Sequence, residues 1–477
     1  MIKNKLIKNL LSSGLQAIGV QVLGVAFFFL LSFHATKYDF GIIGWANAVS
    51  MLAVTLLSFG MEQVVVRRIA ASDKSSWAAA AFLIHALCGT VALFLLLYAG
   101  SFLWQHNPFY YYLPLFFASQ GLIYIATPLK QFLNAKELFA PYGLIALISN
   151  LGKVIVLYVL LQGGSISVKE VGLILCFFGF VELVCLACYI YFRKDIHLPF
   201  TFRFSAYKKL LKESLPQYIS AIFDSSLSRI DWILLGLVST ALSVAEYSFA
   251  YRAYEIMKLP LMVIGPVLLV KYSRMMANNE FDTRRASETG RFIVIALFLS
   301  VLMVIFCNVL WAPIVTGLTN GKYGTSNALL FFMLSLCLPI HFLISMFWTM
   351  CFAGKKYRYI TRITIIVAVS NLLLNLALIP LLGSTGAALS YLAATMLQAV
   401  AYYIFVRRHF LVLPAMAIWL IPLTGIAAYA VSAVLLEQWY ARLGVSMALY
   451  ISGCLLFKQV RREDVVILKS YLNRRGA

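Results

Sequence analysis

Runs of roughly twenty apolar residues, each closed by a short polar stretch, repeat from one end of this chain to the other. A hydrocarbon layer of about 30 Å takes about 20 helical residues to cross, so each run reads as one membrane-spanning helix. The pattern predicts fourteen spans, at 10–33, 41–64, 78–104, 113–133, 142–162, 171–192, 214–238, 246–269, 292–312, 327–350, 363–380, 386–406, 414–436 and 443–457. The loops are brief: the longest, 193–213, 270–291 and the tail 458–477, hold about twenty residues each, too few for a soluble domain. The expected fold class is an all-α polytopic membrane protein.

One stretch, 214–270, departs from the pattern. It is apolar enough to cross twice, yet it carries Asp224, Arg229, Asp231, Arg252, Glu255 and Lys258. In the first crossing Gln217, Ser220, Asp224, Ser228 and Asp231 fall three or four residues apart, which makes one polar stripe on a helix. In the second, Tyr247, Tyr251, Glu255 and Lys258 repeat the spacing, with Arg252 one turn before Glu255. Each charge facing lipid costs about 3 kcal/mol, so six would cost on the order of 18. Both stripes are therefore expected to face protein or water inside a bundle. The chemistry leaves two roles open: structural pairs such as Arg252 with Glu255, or contact with a ligand or coupling ion.

Composition supports the membrane reading. The chain has 477 residues, 62% hydrophobic and 12% charged, with mean hydropathy +0.88; soluble domains carry about a quarter charged residues. The formal charge of +21 raises the question of nucleic acid, and its placement answers it. With the amino terminus inside, 31 of the 39 Lys and Arg fall in cytoplasmic segments. Lys37, Lys169, Lys322 and Arg442 are outside, and Lys153, Arg229, Arg252 and Lys258 lie within spans. That asymmetry is the positive-inside rule together with attraction to anionic membrane lipids, and it needs no nucleic acid. Both termini are placed in the cytoplasm. Lys3, Lys5 and Lys8 precede a run too long for a signal-peptide core, so 10–33 is the first span. The eight cysteines lie in apolar stretches or at their edges, and Cys185-x-x-Cys188 sits inside a span, so they read as packing residues.

A weak internal repeat suggests how the spans group. Asp39-Phe40-Gly41 aligns with Glu246-Tyr247-Ser248, Arg67 and Ala70 with Arg274 and Ala277, and Ser149-Asn150-Leu151 with Ser370-Asn371-Leu372. An even number of spans per repeat makes the duplication parallel. The expected organisation is a six-helix bundle over 1–192, a basic connector 193–213, a second six-helix bundle over 214–406, and two appended helices with a basic tail over 407–477.

Other intramembrane candidates are fewer. Lys153 has no partner three or four residues away, so its counter-charge comes from another helix, with Glu182 the candidate, or from a ligand. Glu62 reads as interfacial. Weaker stripes at Gln120, Tyr124, Thr127, Gln131 and Asn134, and at Thr361, Thr364, Asn371 and Asn375, read as helix-to-helix hydrogen bonding. Pro128, Pro216, Pro260, Pro266, Pro339 and Pro422 predict kinks. Trp104 and Tyr110 to Tyr112 read as an interfacial aromatic belt. The segment Gly317–Lys322 imitates a phosphate loop, but its glycine spacing is one short and Tyr323 replaces the needed Ser or Thr. There is no H-E-x-x-H, G-x-S-x-G or dinucleotide fingerprint, and the longest outer loop, 313–326, holds no acid. The reading is a non-enzyme without cofactor or metal.

The run Asn371-Leu-Leu-Leu-Asn375-Leu-Ala-Leu-Ile-Pro380-Leu-Leu-Gly383-Ser-Thr-Gly386-Ala-Ala resembles the N-x-x-x-N, IP, G-x-x-GAA segment of the polysaccharide-transport family. These are O-antigen and capsule flippases of the multidrug/oligosaccharidyl-lipid/polysaccharide exporter superfamily. Arg229-Ile-Asp231-Trp-Ile-Leu-Leu-Gly236 with Glu246-Tyr247-Ser-Phe-Ala250-Tyr-Arg252 is similar to its D-x-I-L-L-G and G-x-Y-x-x-A region, except that Glu246 stands where Gly is common. Phe59-Gly60 leading to Arg67, Arg68 and Ala70 fits the end of its second span. The resemblance covers spans 1–12. It implies two bundles about a cavity that opens alternately to each side of the bacterial inner membrane. The implied substrate is an oligosaccharide on undecaprenyl pyrophosphate, made in the cytoplasm for lipopolysaccharide or other surface polysaccharide. On that reading Lys153, Arg229, Arg252 and Lys258 contact phosphate or acidic sugar. Asp224, Asp231 and Glu255 bind a coupling H+ or Na+ or hold the bases in place. A drug exporter of the same superfamily is the nearest alternative, and a membrane polymerase or glycosyltransferase a more distant one.

Overall fold

A computed structural model describes residues 2–72, 75–193, 198, 203–277, 283–409 and 415–459. The described residues are helical throughout, with short turns and no strand. The helices are α1 (Ile2–His34), α2 (Lys37–Ser58), α3 (Met61–Ala71), α4 (Trp77–Leu103), α5 (Pro108–Ala135), α6 (Phe139–Gln162), α7 (Val168–Phe192) and α8 (Phe204–Val238). They continue with α9 (Ala241–Met257), α10 (Leu259–Ala277), α11 (Thr283–Leu310), a π-turn over Trp311–Val315, α12 (Thr316–Leu318) and α13 (Ala328–Ala353). Last come α14 (Tyr357–Leu382), α15 (Ser384–His409), α16 (Ala415–Leu435) and α17 (Trp439–Leu456). Among the described residues ten helices are long and apolar enough to cross a membrane. This is a polytopic all-α membrane protein.

The structure moves several expected boundaries. Span 2 ends at Ser58, because Phe59 and Gly60 both take left-handed backbone (φ 50° and 67°) and start α3 as a separate helix. Span 8 is divided at Lys258, two residues before Pro260, whose ring excludes the carbonyl of the preceding turn. The second half of the connector 193–213 is helical, since α8 begins at Phe204.

The chain forms two compact units, 1–245 and 246–477. The seventh span, expected to open the second bundle, is α8 and packs against α2, α3 and α4 of the first unit. Apolar burial draws no helices together within a bilayer, so close packing and interhelical hydrogen bonds must do it. The α2–α8 seam shows both. Trp45 of α2 lies over Gly236 of α8, where an added Cβ would come within 1.9 Å of its ring, and Trp45 Nε1 donates to the Ile233 carbonyl at 3.0 Å. A Cβ at Gly41 would meet the Ala241 carbonyl at 1.9 Å. The D-x-I-L-L-G resemblance is thus partly a packing signal.

In the second unit α13 packs against α15, α11 and α10, and α14 against α15. The turn from α14 to α15 explains the other motif. Gly383 has φ 57° and ψ −132°, a region open only to glycine, and a Cβ at Gly386 would lie 2.2 Å from the Leu378 carbonyl.

Candidate functional site

In the first unit, α2, α5 and α8 enclose an open recess of about 390 Å³. Its polar lining is Thr55 from α2, Gln120 from α5, and Asp224, Ser225, Ser228 and Arg229 from α8; Met51 and Val54 complete it. Helical periodicity delivers the last four, since 224, 225, 228 and 229 share one side of α8. The opposite side carries Leu215 and Ile219, both exposed. Asp224 is exposed into the recess, and among the described residues neither Asp224 nor Arg229 belongs to an ion pair. The Arg229 guanidinium stands 5.4 Å over the Trp232 ring, which leaves its N–H edge for another acceptor. The Thr55 and Ser225 hydroxyls meet at 3.3 Å, and Gln120 donates to Asn47 Oδ1 at 3.4 Å. Asp231, farther along the same stripe, is only 1% exposed and is not part of the recess lining.

Arg252, Glu255 and Lys258 lie in the second unit. Arg252 Nη1 donates to Glu255 Oε2 at 2.8 Å within α9. Lys258 occupies the break between α9 and α10, its ammonium 4.7 Å from the Tyr254 ring and 5.6 Å from the Tyr251 ring. Beside them are three residues the sequence reading did not single out, Tyr254, His341 and Tyr391. His341 of α13 lies 3.0 Å from the Tyr254 hydroxyl through Nδ1 and 3.5 Å from the Tyr391 hydroxyl of α15 through Nε2. A histidine inside an apolar span was the available signal.

Lys153 sits elsewhere. It is 8% exposed on α6, with Nζ 3.5 Å from Asn150 Oδ1 of the preceding turn. The expected partner, Glu182, is bound instead to Lys130 of α5 at 2.5 Å, and acts on Lys153 only as a nearby charge. Lys130, expected in a cytoplasmic segment, is thus part of the interior of unit 1. Removing one member of a buried pair strands the other charge. Glu182→Gln is therefore expected to lower stability by about 3–5 kcal/mol, read as an earlier thermal transition in detergent. Adding Lys130→Met should restore most of it.

The weaker stripes divide. Tyr124 donates to the Leu57 carbonyl across helices, and Gln120 reaches Asn47, as expected. Thr361, Thr364 and Asn375 bond the carbonyl four residues back in α14, so those bonds are within one helix and not between two. In the aromatic belt, Trp104 and Tyr111 are exposed, whereas Tyr110 packs edge-on against Trp45.

At the start of α8, ahead of the expected span, Glu213 takes both ends of Arg68: Nε at 3.0 Å and Nη2 at 2.7 Å. These bonds hold the Glu213 carboxyl below the usual carboxylate range. A lowered folded-state value stabilises above the ordinary carboxylate range and is lost as pH falls through the folded value.

A sequence profile described as "Polysaccharide biosynthesis protein" matches residues 6–275. The chain belongs to that family. No curated protein matches it in sequence. Among solved structures, the chain is similar to "Lipid II flippase MurJ, inward closed conformation", with TM-score 0.72, 15% identity, and 93% of this chain and 98% of that one covered. It is also similar to an inward-facing multidrug resistance MATE family transporter of the MOP superfamily, with TM-score 0.67, 18% identity, and coverage of 82% and 94%. A MOP superfamily transporter from Pyrococcus furiosus gives TM-score 0.58 at 15% identity, covering 87% and 96%. At these identities the likeness shows that this member of the polysaccharide biosynthesis family has the MOP-transporter fold.

Proposed function

We propose that the protein is a flippase for lipid-linked oligosaccharide. It carries the headgroup of an undecaprenyl-pyrophosphate-linked sugar chain from the cytoplasmic to the periplasmic leaflet by alternating access, for O-antigen or similar surface polysaccharide. A diphosphate and its sugars cannot pass through hydrocarbon without replacing their hydration, so a polar path through protein is required. The observation that carries this reading is the open α2–α5–α8 recess, where Asp224 and Arg229 form no ion pair among the described residues and stand beside hydroxyl and amide groups. Membership of a polysaccharide biosynthesis family supports a saccharide-bearing substrate.

On this reading Arg229 of the first unit donates to phosphate or acidic sugar, and Lys258 and Arg252 are cations offered to such groups within the second unit. Glu255 holds Arg252, Asp231 is a buried structural group, and Asp224 remains the carboxylate placed to take a coupling H+ or Na+ or a sugar hydroxyl. Lys153, packed among other charges, serves the ionic interior of unit 1. The protein acts in the inner membrane with both termini in the cytoplasm, and it catalyses no covalent step.

A strain lacking the protein is expected to accumulate undecaprenyl-pyrophosphate oligosaccharide and to lose surface polysaccharide. Unchanged polysaccharide with new sensitivity to cationic dyes would instead favour a drug exporter, a reading to which the multidrug-transporter likeness lends fold-level support. Arg252→Ala and Lys258→Ala are expected to abolish surface polysaccharide at normal protein level. Normal export by both variants would leave these charges a purely structural role.

A further inference from the structure

The second unit holds a larger cavity, and it is apolar. Between α11, α13, α15 and α16 lies a groove of about 480 Å³. Its floor is buried: Val301, Val304 and Ile305 of α11 and Leu343 of α13 are at most 8% exposed. Its rim is not. Met396, Val400 and Ile404 of α15 and Trp419 and Ile426 of α16 are exposed, so the groove opens sideways toward the bilayer. α16 and α17 pack on α11, and Tyr429 of α16 stacks on Phe332 of α13 at 5.6 Å. From there the groove runs toward the end of α15 and the start of α16, the side that the distribution of basic residues assigns to the cytoplasm.

One side of α15 carries the groove into the headgroup layer. Met396, Ala399, Val400, Tyr403 and Ile404 recur at spacings of three and four, and the next position on that stripe is Arg407. The bias that puts cations on the cytoplasmic side does not choose a helix face; this spacing does. Arg407 is exposed, and among the described residues it belongs to no ion pair. No Asp or Glu stands between Glu288 and Glu437, so no acid on α13, α14, α15 or α16 neutralises it. Tyr403 and Trp419, both at the same end of the groove, supply a hydroxyl and an indole N–H.

An acyl chain that leaves the bilayer for this groove gains no hydrophobic energy, because lipid tails are as apolar as the lining. Close packing and the headgroup must decide what stays. A group of water's size takes about 30 Å³, so the groove admits roughly 16 of them, which is one acyl chain or roughly a third of an undecaprenyl tail.

We propose that the α11–α13–α15–α16 groove is a seat for an anionic glycerophospholipid of the inner leaflet, with one acyl chain in the groove and the phosphate on Arg407. The guanidinium takes two oxygens of a phosphodiester side by side, whereas a zwitterionic lipid brings its own cation into competition for them. Arg408, next in the last turn of α15, extends the positive field over the headgroup. The lipid fills the space where α15 and α16 face one another, and so braces α16 and α17 against the bundle. The seat does not depend on what the protein transports.

The test offers full-length protein in detergent equal amounts of phosphatidylglycerol and phosphatidylethanolamine with the same chains, and counts bound lipid by native mass spectrometry. Phosphatidylglycerol is expected to be retained at least about tenfold more, the scale of one charge-assisted contact. Arg407→Gln should erase that preference. Arg358→Gln, which removes an exposed cation at the start of α14 that does not line the groove, should keep it. Val400→Trp, which fills the groove, should lower retention of both lipids. Equal retention by the native protein, equal losses in Arg407→Gln and Arg358→Gln, or undiminished retention in Val400→Trp would mean only a diffuse basic surface and overturns the proposal. A second arm needs no variant. Phosphatidylglycerol with a diazirine midway along one chain is photolysed beside the native protein in vesicles, and adducts are expected within 396–404 and 418–429. Adducts spread evenly over exposed helices such as α4 also overturn it, as do adducts cleared by excess undecaprenyl phosphate, which would give the groove to the carrier.

Discussion

Gly236→Leu is expected to leave little folded protein in the membrane. The site admits no Cβ, let alone a branched chain, because the Trp45 indole already occupies that space and is fixed by its bond to the Ile233 carbonyl. Overpacking usually costs about 1–3 kcal/mol when neighbours can yield. Here the neighbour is a ring only 2% exposed, with Phe109 and Tyr110 packed edge-on against it at 5.1 and 5.5 Å. Yielding would part α2 from α8 and dismantle the recess. Detergent-solubilised variant and native protein compared by size-exclusion chromatography would show the effect: a monodisperse native peak, and aggregate or nothing for the variant. Trp45→Ala made together with Gly236→Leu should recover part of the peak, since it empties the space the leucine needs.

The second large effect is expected with the fold intact. Arg229→Ala should slow translocation of lipid-linked oligosaccharide at least about tenfold, the scale of one lost charge-assisted contact, without moving the thermal transition. The reason for the separation lies in its surroundings. Arg229 forms no ion pair among the described residues, so removing it strands no opposite charge, and its stem borders an open recess. Arg229→Lys should recover only part of the rate, because an ammonium cannot present a planar two-bond edge. A shifted thermal transition with an unchanged rate would make Arg229 a packing residue over Trp232. Asp231 is the internal contrast: at 1% exposure its removal is expected to cost stability first.

The parts of this architecture visible in the sequence are those governed by local periodicity. Apolar run length gave the all-helical membrane class, and the three- and four-residue spacing gave the polar side of α8 from which Asp224 and Ser228 enter the recess. Pro260 marked the break at Lys258 to within two residues. What periodicity does not carry is which helix a given side meets. Glu182 pairs with Lys130 and not with Lys153 because of how α5, α6 and α7 are rotated about their own axes, which no spacing within one helix encodes. Likewise the basic connector at 193–213 looks like a domain boundary, yet the division falls at 245/246, inside α9. Gly236 brings α8 onto Trp45 of α2, Gly60 brings it onto the turn after α2, and Gly41 brings α2 onto the start of α9, and a glycine in a sequence does not name the residue that will press against it. Span 2 is expected to run to 64, past Gly60, and Phe59, an aromatic residue in left-handed backbone, does not announce the stop at Ser58.

Water and charge in the α2–α8 recess are what every functional statement depends on, and transport by purified protein tests that most directly. Protein reconstituted into vesicles containing undecaprenyl-pyrophosphate oligosaccharide would be assayed by the fraction of headgroup exposed to an external glycosidase over time. The account predicts protein-dependent exposure of the inner-leaflet pool, lost in Arg229→Ala and unaltered in vesicles given an unrelated membrane protein. A pool that stays protected with well-folded native protein, or one exposed equally by Arg229→Ala, would contradict it.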